Sequence, residues 1–339
     1  MKKILAVAIA SAFAAPAFAA TSNVDIYGKL HMSVNWYNDQ PSDIADIGIS
    51  SNASLIGFKG SEDLGGGLKG IWQLESGVDL DEQRGTLASR NSFVGLSGGF
   101  GTALIGNHDT PLKLVGRKVD LFGDTIGDSR NVMGGGSDTR AKNVVAYLTP
   151  AMSGFSGAVA FATDLTGTTT AGDAEDRNVW NLSGAYENGP IYVGVGYGDG
   201  DGHEAIGAGS HWRVAGAFSF GDFKVVGQYD SLSDDNAVNP GGLNGDYDAW
   251  MVGGAFNMGA MTFKANWMAG EFDGVGGAEP EQFNVGLDYS MSKRTMVYAM
   301  YTGGEEVVLG SGGGSSDRVG SGVAGGDISG LSFGVVHNF

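Results

Sequence analysis

The chain has 339 residues, 20 Lys+Arg against 38 Asp+Glu for a formal charge of −18, 60 glycines, 7 prolines and no cysteine. The missing cysteine excludes disulfide scaffolds, thiolate metal sites and a cysteine nucleophile. Glycine without a Gly-X-Y period excludes collagen, 10 % aromatic content argues against disorder, and the acidic balance disfavours nucleic acid as a partner. With 17 % charged residues a bundle of apolar membrane helices is excluded, but a membrane barrel, whose strands are only half apolar, is not.

Residues 1–19 read as a secretory signal. Lys2 and Lys3 form a basic start, an apolar stretch from Ile4 to Ala15 follows, and Pro16 precedes the small-x-small triplet Ala17-Phe18-Ala19. Cleavage between Ala19 and Ala20 would leave 18 basic against 38 acidic residues, a net of −20. The apolar stretch is too short to cross a bilayer. The signal implies export, and residues 20–339 are expected to form one domain.

Strand periodicity begins at residue 24. In VDIYGKLHMSVNWY one face carries Val24, Ile26, Leu30, Met32, Val34 and Trp36, and the other Asp25, Tyr27, Lys29, His31, Ser33 and Asn35. That is period 2 over a stretch longer than an ordinary globular strand. The pattern recurs at 180–187, 191–197, 211–218, 222–230, 262–267 and 282–290. Connections alternate between short ones (EDLGGG, GGFG, TPAMSG, ENGP, FGD, NMGA, MSKR) and long polar ones near 38–52, 79–89, 109–139, 164–177, 199–209, 231–246, 270–280 and 303–327. This predicts about sixteen antiparallel strands of about ten membrane-crossing residues each. Aromatic residues at strand ends (Trp36, Tyr37, Tyr186, Tyr197, Tyr229, Phe272, Tyr289, Tyr301, Phe339) fit bilayer girdles. A soluble sandwich also alternates, but the strand number, the one-sided long loops and the girdles favour an all-β, 16-stranded antiparallel transmembrane β-barrel, which must close because lipid satisfies no backbone group.

The last segment, ISGLSFGVVHNF, alternates through Leu331, Phe333 and Val335 to a terminal aromatic. It resembles the C-terminal strand signal of bacterial outer-membrane proteins, which implies that Phe339 is read by the barrel-assembly machinery. VDIYGKL, IGFKGSEDLGGGLKGIWQLE, SRNSFVGLSGGFGTALIG, HDTPLK, RAKNVVAYLTPAMSGFSG and MSKRT are similar, in order and spacing, to the general porins of Gram-negative bacteria. That resemblance implies a homotrimer in the outer membrane, contacts with its lipids, and a third external loop, here 109–139, folded into the lumen as a constriction. It also implies passive diffusion of ions and small hydrophilic solutes without a cofactor. Trimer contacts would use the outer faces of the first and last strands.

Charges sketch the pore. Lys59, Arg90 and Arg140 are expected to form a basic strip on the inner wall. Asp120, Asp124 and Asp128 repeat at i, i+4, i+8 and would share one face of a short helix. Facing acids and bases would set a transverse field across a water-filled gap. Leu55 and Asn107 stand where the family often has arginine, so the strip is thin. The channel is therefore expected to be weakly cation-selective or non-selective. A substrate-specific channel with a saturable site is the alternative, resting on the scattered Tyr27, Tyr37 and Tyr192. An enzyme is not expected: GGGLKG lacks a P-loop ending, HEAIG lacks a second zinc-binding histidine, and the five histidines form no metal-spaced pair. DGDGHE (199–204) falls short of a calcium loop.

Overall fold

The computed structural model describes residues 24–38, 47–81, 84–133, 138–163, 178–200, 209–233, 246–273, 278–307, 309 and 327–339. The signal segment, including Ala19 and Ala20, and most of DGDGHE lie outside them.

Eighteen strands form one antiparallel sheet. They are β1 (Asp25–Asn38), β2 (Ile47–Ser51), β3 (Leu55–Gly65), β4 (Leu68–Asp79), β5 (Arg84–Thr86), β6 (Ser92–Gly98), β7 (Gly101–Asp109), β8 (Arg140–Leu148) and β9 (Phe155–Ala162). β10 (Val179–Asn188), β11 (Ile191–Gly200), β12 (Gly209–Phe220), β13 (Phe223–Ser233), β14 (Tyr247–Met258), β15 (Met261–Phe272), β16 (Glu281–Ser290), β17 (Thr295–Glu305) and β18 (Asp327–Asn338) complete it. β2 and β3 both pair with β1, and β5 and β6 both pair with β4, so each couple is one interrupted barrel strand and the barrel has sixteen. The interruptions fall by Ala53 and Ala88, which take positive φ of 51° and 59°. These short strands extend into what the sequence reads as the loops 38–52 and 79–89.

The sheet closes because β1 pairs on its other edge with β18, from Lys29↔Asn338 to Asn38↔Ser329. Gly28 and Phe339 exchange both backbone hydrogen bonds at 3.1 Å, sealing the last residue into the seam. Neighbouring strands join at the short turns anticipated from sequence.

The alternation sorts side chains as expected. Val214, Val252, Val285 and Phe333 point outward and are exposed, while His31, Ser33, Asn35, Arg213, Asn284 and Ser332 are buried on the inner face. Outward aromatics form belts. Trp180, Trp212, Tyr229, Trp250 and Trp267 ring the long-loop end, and Phe218, Phe220, Phe223 and Phe256 stack in sequence near the short-turn end with centroids 4.6–5.8 Å apart. Tyr37 and Phe272 depart from the girdle expectation: they point inward and are 3 % and 4 % exposed. Both belong to an apolar cluster inside the barrel.

Val252 lies on the outer face between Trp250 and Phe256. Val252→Arg should cost about 2–4 kcal/mol, the midplane penalty for a lipid-facing charge. Equilibrium unfolding in urea from lipid vesicles reads this, and an unchanged midpoint would show that the residue does not meet lipid.

Candidate functional site

The segment between β7 and β8 starts with α1 (Pro111–Arg117) and returns through α2 (Arg130–Met133). α1 is started by local chemistry. Thr110 is the N-cap, its side-chain oxygen accepting from the Lys113 N–H at 3.3 Å, and Pro111 supplies a preset φ at the first turn. Leu112, Val115, Val119, Phe122 and Ile126 then recur three or four apart and are 0–3 % exposed. Val115, Val119, Phe122 and Ile126 pack in one cluster with the inward side chains Tyr192, Ala215, Met251, Met268, Tyr298 and Met300, and Leu112 lies against Gly196 of β11. One side of the barrel interior is thus a dry seam, beside the water-filled gap expected from the sequence. The spacing of those five residues is the signal that reveals it.

Polar tethers reinforce the seam. The Leu112 N–H donates to Asn181 Oδ1 (2.7 Å), Tyr192 Oη to the Val115 carbonyl (3.2 Å) and Lys264 Nζ to the Leu121 carbonyl (2.9 Å). Gln282 Nε2 and Asn284 Nδ2 donate to the carbonyls of Ile126 (3.3 Å) and Gly127 (3.2 Å). Gly127 has no room for a side chain: a Cβ there would sit 2.5 Å from Asn284 Oδ1 and 2.6 Å from Met300 Cε.

Asp120, Asp124 and Asp128 do come together, but not on a helix. Residues 118–129 run as successive turns. The aspartates themselves compete for the backbone: Asp120 Oδ1 accepts from the Phe122 N–H at 2.9 Å and Asp128 Oδ2 from the Asp124 N–H at 2.7 Å. Asp124 adopts a positive φ of 61°, which aspartate tolerates better than most residues. The three carboxylates surround Arg117, whose guanidinium lies 2.8 Å from Asp124, 3.2 Å from Asp128 and 3.5 Å from Asp120. Arg130 grips Asp128 with Nε and Nη2 at 2.9 and 2.8 Å. Lys29 on β1 reaches Asp124 at 2.7 Å.

Burial raises the affinity of all three acids for a proton, and the cations decide the outcome. Arg117, Lys29 and Arg130 outweigh burial at Asp124 and hold it well below the usual carboxylate range. Arg130 and Arg117 bring Asp128 down to about 2. At Asp120, burial and the Asp128 charge win and push it up. The result is an ionised knot rather than a row of free acids.

The basic residues expected on the wall are placed there, each with a partner. Arg140 Nε donates to Asn91 Oδ1 (2.7 Å) and Arg140 pairs with Asp109 (3.0 Å). Arg90 lies 3.7 Å from Glu75. Lys59 is buried on β3, its ammonium 4.9 Å from the centre of the Tyr27 ring, and Tyr27 Oη donates to Glu75 Oε1 at 2.9 Å. Alternation puts Lys29, Arg213 and Lys264 on the polar strand face, but sequence reasoning assigns no site role to them or to the wall acids Glu75 and Asp109. These partners come from distant strands, and no local spacing brings them together. His31 and Ser33 share the inner face, but His31 bonds to Tyr298 Oη (2.9 Å) and Ser33 to Asn52 (2.7 Å), not to each other.

The family model for Gram-negative porins matches residues 6–306. The major outer membrane protein P.IB of Neisseria gonorrhoeae is 38 % identical over 176 residues, 48 % of each chain. Outer membrane porin protein 32 of Delftia acidovorans is 32 % identical over 209 residues, 58 % of this chain and 59 % of that one. The matched stretch thus spans about half the length of these curated relatives. Among solved structures, an anion-selective porin from Comamonas acidovorans superposes with a TM-score of 0.76 at 25 % identity, covering 93 % of this chain and 99 % of that one. The trimer form of OmpT from Vibrio cholerae shares the fold, with a TM-score of 0.68 at 18 % identity and cover of 93 % and 99 %. The closed sixteen-stranded sheet, the lipid-facing belts and the family match together make this chain a member of the Gram-negative porin family, a β-barrel of the outer membrane.

Proposed function

We propose that the protein is a water-filled channel for passive diffusion of ions and small hydrophilic solutes, with residues 109–139 as its constriction. The observation that carries this reading is the asymmetry of the interior. The loop is packed dry against the inner faces of β11 to β17, while Lys29, Tyr27, Glu75, Arg90 and Arg140 line the side it leaves uncovered. Solutes pass between the Arg117–Asp124 knot and the Lys59–Arg90–Arg140 strip. The family match and the porin roles that its relatives are named for support a channel over an enzyme.

Selectivity follows from the interior, not from total charge. Ion pairs between described residues engage nine Lys or Arg and nine Asp or Glu side chains, all on the inner wall or the loop. Each acid is neutralised across a few ångströms, so the far field in the passage is weak, and the acids elsewhere on the chain are screened beyond about 10 Å. The channel is accordingly close to non-selective. The relative from Comamonas acidovorans is named anion-selective, and the balanced pairs here argue against a strong preference of either sign.

Assembly as a homotrimer is part of the same proposal. An apolar depression of about 520 Å³ on the outer face, lined by Met32 and Val34 of β1, Ile49 of β2, Val297 of β17, and Phe333 and Val335 of β18, suits a neighbouring barrel. Phe339, placed in the closing seam and half exposed, serves as the signal for the assembly machinery.

Recording in planar bilayers tests the reading. The expected result is large ohmic steps, with a reversal potential near zero in a tenfold salt gradient. Absent conductance, or a strongly displaced reversal potential, would contradict it. Deleting residues 115–130 should raise conductance and admit bulkier sugars. Acid gives a further check. Asp124 and Asp128 are held below the unfolded value of about 3.9, so their stabilisation of the knot is complete above that pH and is lost as pH falls through their folded values. Asp120, pushed up, takes its proton first and thereby relieves repulsion. Open-channel current should therefore be steady from pH 7 to 4 and become unstable only as pH nears 2, whereas a loop loosening at pH 5 would refute the paired arrangement.

A further inference from the structure

Arg213 is the largest fully buried side chain among the described residues, and it sits in the wall of a supposed water-filled barrel. It points inward from β12, directly opposite Asp230 of β13. Its Nε donates to Asp230 Oδ1 at 2.8 Å and its Nη2 to the same carboxylate. From this seat the guanidinium reaches both limbs of the loop. Nη1 contacts the Leu112 carbonyl (3.4 Å) on the outgoing limb and Asp138 Oδ2 (2.5 Å) on the return limb. Nη2 donates to the Met133 carbonyl at 2.9 Å, at the end of α2. All five N–H donors of the fork are thereby used, a pattern a lysine cannot reproduce.

The surroundings are built to hold this side chain. α1 passes so close that a Cβ on Gly116 would lie 2.6 Å from Arg213 Nη1, so any larger residue there would displace the guanidinium. Gln228 Nε2 donates to Asp230 Oδ1 (3.0 Å), and His211 Nε2 lies 3.4 Å from Asp230 Oδ2. The other tethers are different in kind. Arg117 and Arg130 mainly tie the loop to itself, and Lys264, Gln282 and Asn284 reach single carbonyls of its middle. Arg213 joins the two roots of the loop to each other and to the wall.

We propose that Arg213 is a positioning residue that pins the constriction loop and thereby sets the aperture of the channel. The inference rests on the channel reading given above. With the pin in place, both limbs are fixed to β12 and the loop cannot swing about its roots. Without it, Asp230 and Asp138 lose the guanidinium that pairs with both of them in a buried site, which is strongly unfavourable, and water must enter behind α1.

Two variants and two readouts test the pin in the full-length protein. Asp138→Ala removes one arm and keeps the Arg213–Asp230 pair in the wall; Arg213→Lys keeps the charge and loses the fork. Heat-modifiable mobility in detergent gels reports that the barrel is formed, and Asp138→Ala decides the matter if Arg213→Lys does not fold. In planar bilayers both should show closures about tenfold more frequent than the parent, the effect of losing one charge-assisted hydrogen bond. Both should also admit larger neutral oligosaccharides. Independently of conduction, a spin label on Leu121→Cys, introduced in a chain with no native cysteine, should become more mobile in both variants. Folded variants with parental closures, size limit and label mobility would overturn the pin while leaving the channel reading intact. A parent that does not conduct would overturn the channel reading, and the label would still decide whether Arg213 tethers the loop.

Discussion

Lipid offers no hydrogen-bond partner to a peptide group, and this single constraint organises the molecule. A sheet in that medium is stable only if its first and last strands find each other. Here β1 pairs with β18 through ten successive residues, Lys29 to Asn38, and the terminal Phe339 is tied to Gly28. Once the ring is closed, the period-2 alternation has a fixed meaning: one set of side chains meets lipid and the other meets the interior. Every later feature, from the aromatic belts to the wall charges, is a consequence of that sorting.

Closure also creates the problem that the loop solves. A sixteen-stranded barrel encloses more space than its own inward side chains fill. The described residues of the segment from Thr110 to Thr139 fill part of it with a miniature core, burying Val115, Val119, Phe122 and Ile126 against wall methionines, tyrosines and an alanine. Its charged residues are consumed internally or by wall partners, so the loop presents a paired surface to the remaining space. The protein as a whole is strongly acidic, yet its inner ion pairs balance. Total charge and pore charge are therefore separate properties of this chain.

The sequence carried the barrel almost completely. Alternation from Val24 to Tyr37 corresponds to β1, and the seven short connections named from sequence fall between the strands they were expected to join. Backbone periodicity is a local property, and local properties are legible. Inward Phe272 departs from the girdle reading because position at a strand end does not reveal which face meets lipid, whereas alternation places Tyr37 on the lumen face, where it is found. The helix expected from the spacing of Asp120, Asp124 and Asp128 is replaced by turns, since aspartate side chains bond to nearby N–H groups as readily as they tolerate helix. The convergence of those acids was legible, and their neutralisation by Arg117 and Arg130 was not. Alternation puts Arg213 on the polar face of its strand, but its role is not legible, because its partners Leu112, Met133, Asp138 and Asp230 are distant in sequence and meet only after the sheet has curled.

The central claim is that the interior is divided, dry behind the loop and wet in front of it. Absence of native cysteine makes the division directly measurable with a charged, membrane-impermeant thiol reagent applied to single-cysteine variants in vesicles. Arg90→Cys and Arg140→Cys, on the uncovered wall, should react quickly and block current, while Met251→Cys and Met268→Cys, beneath the loop, should stay unmodified. Equal labelling at all four positions, or labelling confined to the two methionine sites, would contradict the account.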